Sequence, residues 1–143
     1  MASIRRRRIL IGLIAVLIIL LVPIPSTVVP AWRIRIVDQE GGPVTNINVR
    51  QHWQHYSFQA AGREVDARPD PDGYVSFPRR VAWAGALPRL LGPVLNAVTL
   101  GVHASFGPTA AVQAWNAGYE GWVDYKGEPQ PPESLMVHKR DMP

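Results

Sequence analysis

The sequence predicts a mainly β domain behind an N-terminal membrane segment, on three observations. Apolar and polar residues alternate through 32–37, 47–58 and 74–77. Clusters of Asp, Gly and Pro separate these runs, and Arg5 to Arg8 lead directly into a long uncharged apolar stretch. The chain holds no cysteine, which excludes a disulfide framework, a thiol nucleophile, lipoprotein attachment and Cys-ligated zinc.

The arginines resist translocation, so the expectation is a cytoplasmic basic tail over 1–8, a transmembrane segment over 9–31 and an extracytoplasmic domain over 32–143, periplasmic or extracellular. The purely apolar core from Ile9 to Val22 is short against the roughly 20 residues that a spanning helix takes. The uncharged stretch nevertheless continues to Trp32, with Pro23, Pro25 and Pro30 at its outer end, where a helix can fray among headgroups. An uncleaved signal-anchor is the favoured expectation. The alternative is a signal peptide cleaved near Ala31 and a secreted domain, since Val29-Pro30-Ala31 is the best small-residue cleavage site.

The net charge of +4 invites a nucleic-acid reading, which the distribution removes. Arg5 to Arg8 supply four of the 15 basic residues, and the remainder balances the 11 acidic ones. Pairs such as Arg79-Arg80 are scattered among carboxylates and form no stripe for a phosphate backbone, so no nucleic acid is expected as partner.

Trp32-Arg33-Ile34-Arg35-Ile36-Val37 places Trp32, Ile34 and Ile36 on one face of a strand and both arginines on the other. Asp38 to Pro43 follows as a tight reversal. Ile47, Val49, Gln51 and Trp53 then share a parity opposite His52 and Gln54, giving a second strand expected to run to Phe58. The polar stretch from Ala60 ends in an Asp72-Gly73 turn, which leads into Tyr74-Val75-Ser76-Phe77 with Val75 and Phe77 inward. The expected core is Ile34, Ile36, Ile47, Val49, Trp53, Val75, Phe77 and Val137.

Ile36-Val37-Asp38-Gln39-Glu40-Gly41-Gly42-Pro43-Val44 and Asp70-Pro71-Asp72-Gly73-Tyr74-Val75-Ser76-Phe77 together form a pattern that resembles the carboxypeptidase regulatory-like domain. Ala117-Gly118-Tyr119-Glu120 resembles the Gly-Tyr before a late strand of that family, and Leu135-Met136-Val137-His138-Lys139 would close the fold. The resemblance implies a seven-stranded transthyretin-like Greek-key β-sandwich. It also implies a non-catalytic accessory or interaction module, because the zinc-peptidase residues of carboxypeptidases lie in a different domain.

The segment from Val81 to Gly107 departs from that pattern and predicts a helical insertion at about 83–101. Leu87, Leu90, Leu91, Val94, Leu95 and Val98 fall on one helix face, Pro88 fits a first turn, and Gly101 can close the helix. Pro93 implies either one kinked helix or two short pieces. The expectation is that the apolar stripe covers a sheet face or the open end of the sandwich. The second reading makes Trp83, Leu87, Leu91 and Leu95, with Arg79, Arg80 and Arg89, a surface for a membrane or a partner protein.

Residues that resemble chemical motifs fall short of them. His52 and His55 would share a helix face but point oppositely on a strand, and no carboxylate at a fitting spacing joins them. His103-Ala104-Ser105-Phe106-Gly107 approaches a nucleophile elbow, with a histidine where the first glycine belongs. Asp70-Pro71-Asp72-Gly73 offers part of a calcium loop without its distal glutamate, and reads as a turn. No catalytic residue, metal or cofactor is therefore expected. The functional expectation is a membrane-anchored interaction or accessory module with a lipid bilayer and an unidentified protein as partners. The alternatives are a small hydrolase or metal-dependent enzyme on the same sandwich, or an accessory subunit of an envelope transport or secretion complex.

Overall fold

The computed structural model describes residues 2–140; the outermost residues of the expected tail and domain, 1 and 141–143, lie outside them. The helices are α1 (Ala2–Leu21) and α2 (Ala86–Leu100). The strands are β1 (Ile24–Val29), β2 (Trp32–Val37), β3 (Asn48–His55), β4 (Arg63–Ala67), β5 (Tyr74–Phe77), β6 (Arg80–Ala84), β7 (Pro108–Trp115), β8 (Tyr119–Tyr125), β9 (Ser134–Met136) and β10 (His138–Lys139). The mainly β expectation holds, with ten strands among the described residues.

One layer is a five-stranded antiparallel sheet in the order β10-β8-β7-β3-β4. The other is built on a long antiparallel ladder broken at its middle. β1 pairs with β6 and β2 with β5, and the register is the same on either side of the break: Val29 faces Arg80, and three residues on, Trp32 faces Phe77. Pro30 and Pro78 fall in the gap, and neither has an amide hydrogen to donate to a ladder. β9 joins this layer as a parallel neighbour of β2. Val137, fully buried, then carries the chain across to β10 in the five-stranded sheet, so the closing strand expected over Leu135 to Lys139 is two short pieces in two layers.

The core between the layers follows the alternation. Trp32, Ile34, Ile36, Ile47, Val49, Val75, Phe77 and Val137 are buried together with Ala110, Val112, Ala114 and Leu135. Trp53 is half-buried instead, because it lies near the end of the layer under the guanidinium of Arg80, whose Cζ is 4.2 Å from the ring centroid. β3 stops at His55 and does not reach Phe58. The amides of Phe58 and Gln59 turn back to the His55 carbonyl at 3.2 and 2.9 Å, and the Gln59 side chain accepts from the His55 amide. The two Asp-led turns form as expected. Asp38 Oδ1 accepts from the amides of Glu40 and Gly42, and Asp70 Oδ1 from those of Asp72 and Tyr74, with Gly41 and Gly73 at positive φ.

The transmembrane helix expected over 9–31 is overturned. Among the described residues, no helix is long and apolar enough to cross a membrane. α1 has 20 residues, about 30 Å of helix, but Arg5 to Arg8 occupy its first turns and leave only about 20 Å of apolar length from Ile9 onward. Residues 24–29 belong to a strand whose Val28 and Val29 are fully buried in the core. Thr27, Val28 and Val29 are β-branched, which suits a strand, and the segment finds in β6 a partner from a distant part of the sequence that no local pattern reveals.

Candidate functional site: an outward-facing apolar helix pair

α1 and α2 leave the same end of the β1–β6 ribbon, because Ile24, which follows α1, faces Ala84, which precedes α2. Gly85 lets them meet: a Cβ there would lie 2.7 Å from the Leu20 carbonyl oxygen and 3.0 Å from that of Leu21. α1 exposes large apolar side chains on every side, Ile9, Leu10, Ile11, Leu13, Ile14 and Leu17 among them. Isolated in water such a helix is unfavourable, since apolar surface costs about 25 cal/mol per Å² left exposed.

α2 is one continuous helix through Pro93, capped by Gly101 at φ 54°. It begins at Ala86; Trp83, expected at the start of the helical segment, belongs to β6 instead. The expectation that its apolar stripe covers a sheet is overturned, because α2 has no buried residue. Leu90 is 67%, Leu95 60% and Val98 78% exposed. The face turned to the sandwich is small and polar: Ala86, Arg89, Gly92, Pro93 and Asn96 are each partly covered.

Those inward residues fix the helix in this orientation. Arg89 donates from Nε to the Ala84 carbonyl at 3.0 Å, from Nη1 to Ser26 Oγ at 2.7 Å and from Nη2 to the Ile24 carbonyl at 2.5 Å. Its Cζ stands 5.0 Å from the Phe58 ring centroid, and Phe58 stacks on His55 at 3.9 Å. Gly92 lies against the backbone of Ser57, where any Cβ would overlap the carbonyl oxygen. Asn96 Nδ2 donates to the Ser105 carbonyl. The His55 ring is partly buried beside the Arg89 cation; burial first, then that charge, hold its pKa below the ordinary 6.5.

Of the residues expected to form a membrane or partner surface, Trp83, Leu91 and Leu95 are exposed, Trp83 by 65%. Arg79 is exposed as well, and Leu87 is half-covered. Arg80 and Arg89 are turned away: Arg80 Nε donates to Gln51 Oε1 at 2.9 Å inside the fold, and Arg89 pins α2. Ile24, Val94 and Val98 join the exposed surface. The helical periodicity already marked Val94 and Val98, and Ile24 was hidden in the expected spanning segment. A smaller exposed group, Trp122 and Met136 beside a cleft of about 140 Å³, lies at the β8–β9 side.

The histidines occupy separate places: His52 and His55 at opposite parities of β3, His103 in a 3-10 turn after α2, and His138 on β10. Among the described residues, no three His, Asp or Glu side chains gather as a metal-holding group. Asp70 spends its carboxylate on the backbone of its own turn. The fold and this surface define a two-layered β protein with an apolar helical face. Comparison with protein families and with curated proteins finds no match to the chain.

Proposed function

We propose that this chain is a lipid-attached, non-catalytic interaction module, in which α1 seats in one leaflet and the sandwich presents its sheet faces to a protein partner. The observation that carries the reading is α1 itself: an apolar helix exposed on all sides, led by Arg5 to Arg8. A helix apolar all round requires an environment that surrounds it. Four adjacent arginines suit anionic headgroups, at about 1 kcal/mol each near the surface. The partition of the histidines into separate places supports non-covalent work.

Two further parts of the proposal rest on narrower support. The Asp38–Val44 and Asp70–Phe77 turns support a place among carboxypeptidase regulatory-like sandwiches with their seven-stranded Greek-key core. The burial of Val28 and Val29 favours an uncleaved chain, since cleavage near Ala31 would strip β1 from the ladder.

Flotation tests the reading. The full chain, synthesised cell-free with vesicles containing phosphatidylglycerol, should float with them, and replacing Arg5 to Arg8 by glutamine should weaken that binding by about 4 kcal/mol at most. A chain that stays at the bottom of the gradient would refute lipid attachment. Crosslinking from membranes then identifies the partner, and an envelope transport or secretion component would make the module an accessory subunit.

A further inference from the structure

We propose that α2 is a second lipid-contacting element, lying in the boundary between headgroups and acyl chains with Leu91, Val94, Leu95 and Val98 inserted and Trp83 beside them. The inference rests on the reading of α1 as lipid-bound and adds the orientation in which the sandwich is held.

The orientation of α2 is set from within. Rolling its apolar face onto the sheets would break the three hydrogen bonds of Arg89 and the Asn96 bond to Ser105. It would also lift Gly92 off the Ser57 backbone. No other residue of α2 is charged, so the outward face carries no charge at all. An interfacial helix needs that chargeless apolar face, and an exposed Trp beside it suits the headgroup level, where the ring is amphipathic.

The occupant follows from continuity and charge. α2 adjoins α1 at its N-terminal end, where Gly85 meets the Leu20 and Leu21 carbonyls, and Trp83 faces Pro25 across the ribbon. A second copy would cover one stripe of α1 and leave the others in water, and neither helix contains an acidic residue to meet the other copy's arginines. A bilayer with anionic headgroups satisfies both helices together.

Because the chain has no cysteine, single labels can be placed cleanly. The full chain carrying Val98→Cys, Leu17→Cys or Thr45→Cys is labelled with an environment-sensitive fluorophore and bound to phosphatidylcholine–phosphatidylglycerol vesicles with lipid-borne quenchers. The proposal expects blue-shifted, quenched emission at positions 17 and 98 and none at 45. It also expects Leu91→Asp to weaken vesicle binding about tenfold with an unchanged far-UV spectrum. Protection at 17 without protection at 98 would overturn the role of α2 and leave α1 attachment standing, whereas loss at both would overturn both. A blue shift at 98 that needs no vesicles and grows with protein concentration would assign the face to a second copy and end the lipid proposal.

Discussion

In β2, Ile34 and Ile36 are completely buried while Arg33 reaches solvent; in α2, Val98 is 78% exposed while Arg89 and Asn96 are turned to the protein. Both elements are amphipathic, and they face opposite ways. The strand meets a second apolar layer, so burying its isoleucines removes apolar surface from water on both sides. The helix meets the backbone-rich end of the sandwich, where Ala84, Ile24 and Ser105 offer carbonyls. Unpaired carbonyls there would cost more than a leucine cover could return, and a guanidinium and an amide satisfy them. An amphipathic element thus turns toward its neighbours whichever face they complement.

The sharpest way to break that comparison is to put a carboxylate on each apolar face. Ile34→Asp places an uncompensated charge in the core and should unfold a domain whose whole stability is about 5–15 kcal/mol. Leu91→Asp, on the outward face, should cost less than about 0.5 kcal/mol. Urea unfolding of the detergent-solubilised chain, followed by tryptophan fluorescence, reads both, and equal losses would mean that α2 packs inward.

Trp32→Ala comes next, at about 3–5 kcal/mol. It removes a fully buried ring packed 6.0 Å from Tyr125 and leaves the Pro132 carbonyl without its 2.7 Å donor. Arg89→Ala should cost about 2 kcal/mol, because charged hydrogen bonds are lost at a partly exposed site. Its distinctive sign is local: faster amide exchange across α2 with the β2 amides still protected. Lysine should not restore protection, having no planar fork to span Ala84, Ser26 and Ile24.

His55 gives a smaller, pH-dependent effect. Its folded pKa lies below 6.5, so below that pH the unfolded chain takes up a proton that the folded chain resists. Stability should therefore be level above about pH 6.5 and fall as pH drops toward the depressed folded value. His55→Gln should flatten that slope in unfolding midpoints measured across the range. The smallest expected effect is Asp66→Ala. Asp66 accepts from Arg50 at 2.6 and 2.9 Å on the exposed face of the five-stranded sheet, and water screens such a pair, so the midpoint should not move measurably at high salt.

The parts of the fold carried by short-range patterns were legible: the burial parity of β2 and β5, the inward side of β3, the turns led by Asp38 and Asp70, and α2 as a helix ended by Gly101. β1 was not, since its Ile-Pro-Ser-Thr-Val-Val continues an apolar run and becomes a strand only because β6, more than 50 residues on, pairs with it. β4 was also missed, because Arg63-Glu64-Val65-Asp66-Ala67 is a polar edge strand whose evidence is its ladder with β3. In the candidate site, Trp83, Leu91 and Leu95 could be named from spacing. The inward roles of Arg80 and Arg89 could not, because they depend on Gln51, Ile24 and Ser26, which lie far away in sequence.

By itself, the sequence determined where apolar and polar residues recur and with what period, because side-chain direction along a strand or helix is a local property of the backbone. It settled that β2 has one greasy face, that 86–100 prefers a helix, and that no cysteine chemistry operates. Which face is covered was decided only in three dimensions. Burial is a relation between segments, and the carbonyls that hold Arg89 and Asn96, like the ladder that claims Val28 and Val29, come from residues that approach one another only once the layers are assembled.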